Sequence, residues 1–399
     1  MKLFSHLAVT LLAGAVAFSC SGSKDSLSPM PDRPFGWAGC ISMTCAEAYD
    51  VCGGARGDSI VLKSDGSDMK DRIMDAVNSY STVILDGAGE KVFPVSGFMR
   101  FEGLKNKTIV GRNGAVVSTV FEVTPDLRAL LDSIGVKSMS DQGGGWLLSN
   151  GAYVREEREQ HTRQAIIDYT GDESEAYRNA GLIGLSGCEN IILRNLDLRG
   201  PGPVDVGGAD ILTVSNGSRH IWVDHCSFTD GLDGNFDINS RSDFITVSWC
   251  KFQYTDKAYD HKATNLIASS ENPDQGVDNL NVTYACCIWG DGCEVRMPAV
   301  RWGTVHLLNN LYACPGNYFE AVYACIGSEI LMEGCWFEPG VENIFRAEPD
   351  ANGYTFRDNH FSEPFTPRDK GVVSVPYSYK VLPAEKVPDL LKLYAGPSL

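Results

Sequence analysis

From residue 190 onward, apolar and polar positions alternate in short bursts that restate one eight-residue phrase. The copies are IILRNLDL (191–198), IWVDHCSF (221–228), ITVSWCKF (245–252), VTYACCIW (282–289), VHLLNNLY (305–312), ILMEGCWF (330–337) and YTFRDNHF (354–361). Their starts are spaced by 30, 24, 37, 23, 25 and 24 residues. Alternation with a period of two marks a strand, because successive side chains leave opposite faces. Gly, Asn, Asp and Ser fill the intervals, and no helical period runs through them. One strand phrase per short repeat predicts parallel strands stacked coil upon coil. The expected fold is all-β: a single-stranded, right-handed parallel β-helix.

Two columns emerge when the phrases are aligned. The eighth position reads Leu198, Phe228, Phe252, Trp289, Tyr312, Phe337 and Phe361, which predicts an aromatic stack in the core. The sixth reads Leu196, Cys226, Cys250, Cys287, Asn310, Cys335 and Asn359. Asn there is expected to bond stacked backbone groups, and Cys to act as a small buried residue. Strands ~4.8 Å apart also bring neighbouring cysteines within disulfide range. Cys226–Cys250 or Cys250–Cys287 could bridge, but reduced thiols are the expectation.

The flanks read differently. DMKDRIMDAVN (68–78) has helical spacing and is expected to cap the open end of the stack. STVILDG and KTIVGRNGAVV read as the first strands, and residues 120–180 as an insertion over the coil surface. The tail from 365 reads as Pro-rich loop with a short helix near VPDLLKLYAG. Residues 1–19 read as an export leader ending before Cys20, which suggests a lipidated cysteine, with a plain secretory signal as the alternative. That divides the chain into a leader (1–19), a cysteine-containing linker (20–65) and a β-helix domain (66–399). An outer-membrane lipoprotein, periplasmic or at the cell surface, or a secreted protein follows, anchored to membrane only through Cys20. A monomer is expected.

Charge narrows the function. Acidic residues exceed basic ones by 51 to 34, for a net charge of −17. Nucleic acid is excluded as a general partner, because phosphate neutralisation needs local positive charge. Thirteen cysteines include no opposed C-x-x-C pairs, so a zinc site is not expected.

Three segments carry charge that the strand pattern does not need: one with Asp210, one with Asp233 and Asp237, and VRMPAVRWG with Arg296 and Arg301. In a coil stack, equivalent points on successive turns lie nearly above one another. Three carboxylates so placed repel unless a cation sits among them, and hard oxygen donors favour Ca²⁺. Read alone, such an acidic set is more often solvated turn residues than a metal site, and two such arginines are more often surface ion-pair partners.

KTIVGRNG (107–114), IWVDHCSF, DFITVSWCKF and VRMPAVRWGTVHLLNNLY occur in the order seen in the pectate lyases of polysaccharide lyase family one. The chain resembles that family over roughly residues 75–395. The resemblance implies a parallel β-helix that cleaves polygalacturonate by β-elimination with Ca²⁺. It carries the metal-ligand role onto Asp210, Asp233 and Asp237, the catalytic base onto Arg296, and a substrate-holding role onto Arg301. The substrate lysine falls on Lys257 by ungapped count from Asp237, with Lys262 as the alternative. Some members carry another acidic ligand two residues before the Asp210 position, where this chain has Gly208. Either Asp205 substitutes, or substrate carboxylates complete the site. A pectin lyase and a catalytically weak glycan-binding protein are the competing readings, and His220 and His225 are rival bases. His225 is expected to be a structural hydrogen-bonder.

Overall fold

The structure, a computed structural model, describes residues 33–39, 51–133, 155–204, 206–259 and 261–398. The expected leader, Cys20, Cys40, Cys45 and Asp205 lie outside the described residues. Three parallel sheets of ten, nine and eight strands run the length of the stack. Between the two ends, each coil contributes in turn to sheet one, sheet two and sheet three; Arg219–Asp224, Ser227–Thr229 and Gly234–Ile238 make up one such coil.

The repeated phrase spans sheet one, a tight corner and sheet two, and its copies pair in register. First positions align as Ile191, Ile221, Ile245, Val282, Val305, Ile330 and Tyr354. Eighth positions align from Leu198 to Phe361. The aromatic column is dry from Phe228 to Phe337. Its rings stack at centroid spacings of 5.0, 5.7 and 4.8 Å, within the range where aromatic pairs attract, and close to 4.1 Å between Tyr312 and Phe337.

The corner explains the rest of the phrase. Its fifth position has positive φ in every copy: Asn195, His225, Trp249, Cys286, Asn309, Gly334 and Asp358. At the sixth, Asn310 accepts from the Cys287 backbone N–H at 2.8 Å and donates to the Tyr284 carbonyl at 2.9 Å. Asn359 does the same for Cys335 and Met332. Cys226, Cys250, Cys287 and Cys335 are buried free thiols that donate to strand carbonyls, as expected of reduced cysteines.

The stack begins earlier than the boundary at 66 suggests. Ser59–Leu62 already pairs with Thr82–Asp86, a strand of four residues hidden between polar neighbours. Helix α1, Lys70–Ser79, follows it and buries Ile73, Ala76 and Val77 on the end of the core. The 120–180 insertion contains α2, Pro125–Ser133, and α3, Arg155–Thr170. They form a separate small core in which Leu127, Leu131 and Ile166 meet Val204, Val206 and Leu232. Helix α4, Val387–Tyr394, packs Val387 and Leu391 near Trp249 and Leu308.

Candidate active site

The site lies on the outward face of sheet three. Phe236 and Ile238 point into the core at 0% exposure, so Asp237 between them points out. Register continues its row through Thr213 on one neighbour and Leu266 on the other. Thr213 donates to Asp210 Oδ2 at 3.0 Å, and the Leu266 backbone N–H donates to Asp237 Oδ1 at 3.1 Å. Gly234 makes room for the pair: a Cβ there would lie 2.8 Å from Asp210 Oδ1 and 3.6 Å from Asp237 Oδ1.

Burial is the largest influence on both carboxyls and raises both. Asp210 stands well above the ordinary carboxylate range, with Asp237 and Asp233 adding repulsion. Asp237 is pushed up to about 7, against the opposing pull of Arg296. Asp210, Asp233, Asp237 and Arg296 therefore share one electrostatic neighbourhood. The Arg296 backbone is tied to the sheet, its carbonyl accepting from Asn265 N–H at 2.7 Å. Among the described residues its guanidinium makes no hydrogen bond or ion pair. Arg301, just past the strand Ala299–Val300, donates from Nη1 to the Ala268 carbonyl at 3.1 Å.

The two lysines separate. Lys257 occupies a surface turn after sheet two, its amine 2.9 Å from Glu122. Lys262 immediately precedes the sheet-three strand Ala263–Ile267 and pairs with Glu294 at 2.8 Å. Because Ala263 pairs with Gly234, Lys262 adjoins the coil position of Asp233. His261, beside it, is a residue that sequence reasoning missed: its Nε2 lies 2.9 Å from Asp233 Oδ1, within the electrostatic reach of Asp237. Its sequence signal is a histidine directly before Lys262, at the entry of a site-face strand.

The rival histidines lie elsewhere. His225 is fully buried at the corner between sheets one and two, with Nδ1 2.9 Å from Asp224 Oδ2. Asp224 also takes Arg194 Nε at 3.0 Å and the Ser248 hydroxyl at 2.6 Å. His220 is fully buried and stacks on Phe244 at 5.2 Å. The WVDH motif is thus an internal brace.

The donor set suits a hard cation in kind: carboxylate oxygens, destabilised by burial and by one another. Among the described residues, no group of three or more His, Cys, Asp or Glu side chains is assembled closely enough to hold a metal ion unaided. Gly208 adds no ligand, and a side chain there would collide with Leu232, whose Cδ2 would lie 2.4 Å from its Cβ.

A family model described as pectate lyase matches residues 151–397. A pectate trisaccharide-lyase of Thermotoga maritima is 39% identical over 140 residues, 33% of this chain and 36% of that protein. Pectate lyase A of Emericella nidulans is 28% identical over 256 residues, 62% of this chain and 73% of that protein. The chain thus spans about a third of the first relative's length. Among solved structures, a pectate lyase from a Bacillus species in complex with trigalacturonate superposes with a TM-score of 0.55. That match covers 91% of this chain and 98% of that one at 18% identity, a likeness of fold.

Proposed function

This chain belongs to the pectate lyase family, and from that premise we propose that it cleaves α-1,4-linked polygalacturonate by β-elimination with Ca²⁺. The observation that carries the reading is the placement of Asp210 and Asp237 around Gly234, with Asp233 one residue before it and Arg296 acting on both carboxyls. A chain of net charge −17 repels a polyanion, so local cations must overcome the field. Arg296, Arg301 and Lys262 are those cations.

Asp210, Asp233 and Asp237 would hold the calcium ion, which when bound offsets their charge and neutralises a substrate carboxylate. Arg296 removes the C5 proton, which is acidified by the adjacent carboxylate. The C5–H electrons form the C4–C5 double bond, the C4–O bond breaks, and the departing oxygen takes up a proton. Arg301 and Lys262 hold uronate carboxylates, the former as a bidentate donor. A guanidinium is ordinarily protonated up to pH ~12, so turnover is expected to rise toward alkaline pH. The products are 4,5-unsaturated oligogalacturonides.

The test is ultraviolet absorbance of the unsaturated product from polygalacturonate and from methylated pectin, with and without chelator. Product from polygalacturonate that chelator abolishes supports the reading. Reducing ends without absorbance point to a hydrolase, and product from methylated pectin in chelator to a pectin lyase. Asp237→Ala should remove activity that excess Ca²⁺ restores only in part.

A further inference from the structure

Beyond the carboxylates, toward the amino-terminal coils, the sheet-three face continues into a cleft of about 630 Å³ bordered by Asp210 and Thr213. Phe98 and Arg100 also border it. The Phe98 ring lies against the sheet where Gly184 leaves room: a Cβ at Gly184 would sit 2.4 Å from Phe98 Cε1. Gly184 is in register with Thr213, and Thr213 with Asp237, so the ring lies along the same outward row as the reacting centre. Arg100 pairs in register with Gly184 and extends that row by one strand. Its guanidinium carbon is 5.9 Å from the Phe98 ring centroid. Arg100 is exposed, and among the described residues its guanidinium makes no hydrogen bond or ion pair.

The other cation in the cleft is already committed. Arg178 donates to Glu175 at 2.9 Å and to the Gly207 carbonyl at 2.9 Å, so it builds the wall and neutralises Glu175. Glu173 is the carboxylate that remains on the rim.

We propose that Phe98 and Arg100 form a remote subsite for a uronate residue of the bound polysaccharide, an inference that rests on the lyase reading above. An aromatic ring packs against the C–H side of a pyranose, and the Arg100 guanidinium, which lies over that ring and makes no hydrogen bond or ion pair among the described residues, takes the carboxylate. Arg100 stands three strands from Asp237, ~14 Å along the sheet at the usual strand separation. A pyranose chain laid along the row advances by roughly one strand spacing per residue. A substrate of three residues centred on the carboxylates falls short of Arg100, and one of six reaches it. The subsite therefore selects for chain length.

The experiment compares KM for hexagalacturonate with KM for trigalacturonate in the full-length protein and in Arg100→Ala, Phe98→Ala and Glu173→Gln. In the two alanine variants the hexamer-to-trimer ratio of KM should rise about tenfold, the worth of one charge-assisted contact. In Glu173→Gln the ratio should fall, because a repulsion is removed. A variant that misfolds impairs both substrates together and leaves the ratio unmoved. An unchanged ratio in Arg100→Ala, in protein whose melting temperature is that of the parent, overturns the proposal. If the parent protein yields no unsaturated product, the lyase reading fails instead. The same ratio, read from calorimetric dissociation constants for the two oligomers, then decides the subsite by itself.

Discussion

Gly234→Ala is the sharpest probe of the carboxylate cluster, because it adds one carbon in a place the geometry defines. Gly234 opens the strand Gly234–Ile238, so its backbone is extended and alanine fits it without torsional cost. The added Cβ would stand 2.8 Å from Asp210 Oδ1 and 3.1 Å from the Ala263 carbonyl, whereas ordinary contacts begin near 3.4 Å. The backbone carbonyl belongs to the sheet and yields little, so the Asp210 carboxylate must move by about half an ångström. That breaks its alignment with the Thr213 hydroxyl and with Asp237. Misplacement on the order of 1 Å costs about a hundredfold in rate, so a loss of about ten- to a hundredfold in kcat/KM is expected. Higher Ca²⁺ should be needed for half-maximal activity. Stability should change by less than about 1 kcal/mol, since the displaced atom ends a side chain. The assay is product absorbance across a Ca²⁺ series, with thermal unfolding as the control. Parental kcat/KM at parental Ca²⁺, in a variant of unchanged Tm, would refute the claim that this glycine makes room for the cation site.

Other perturbations test the base, the core and the pH response. Arg296→Lys should lose nearly all turnover, since an ammonium cannot present a planar nitrogen, while Arg301→Lys should mainly raise KM; an Arg296→Lys enzyme retaining most of its kcat is the contrary result. Phe252→Ala removes a fully buried ring stacked between Phe228 and Trp289, and should cost about 3–5 kcal/mol by chemical denaturation. Asp86 is held down to about 2 by hydrogen bonds from Asn113 and then Arg112. A depressed carboxylate stabilises the fold above its unfolded pKa, and the contribution fades as pH falls through the folded one. Asp86→Asn should therefore destabilise the protein near pH 7 by about 1–2 kcal/mol, because half-exposed Arg112 leaves the pair partly screened. That gap should close between pH ~4 and pH ~2 in paired denaturation curves; a gap constant with pH contradicts the assignment.

What the sequence reveals follows from what repeats. Register is legible because each phrase makes the same contacts as the one before it, so a column of like residues means a shared environment. The fifth position escaped notice because left-handed backbone is tolerated there by Asn, His, Trp, Cys, Gly and Asp alike. No single residue type marks it. Asp210, Asp233, Asp237 and Arg296 could be singled out because charge interrupts an apolar pattern. Lys262 and Lys257 could not be separated, since counting from Asp237 crosses a surface turn whose length no register constrains. His261 was missed for the same reason. The helices α2 and α3 pack on each other and on Leu232, contacts between segments far apart that leave no local period.

The constancy of the corner between sheets one and two also bears on how such a molecule can diversify. From the first to the eighth position every phrase has the same length, while the spacing between phrases ranges from 23 to 37 residues. Extra chain enters after sheet two, as in residues 200–211, or after sheet three, as in residues 268–281. Gly207, Gly208 and Ala209 in the first border the cleft on the outward face of sheet three, and the second directly follows the sheet-three strand Ala263–Ile267. Insertions can therefore remodel the banks of the groove while the aromatic column keeps its place. The scaffold acts as a spine with exchangeable borders, so grafting a border loop between relatives should transfer preference for a polysaccharide without re-engineering the interior.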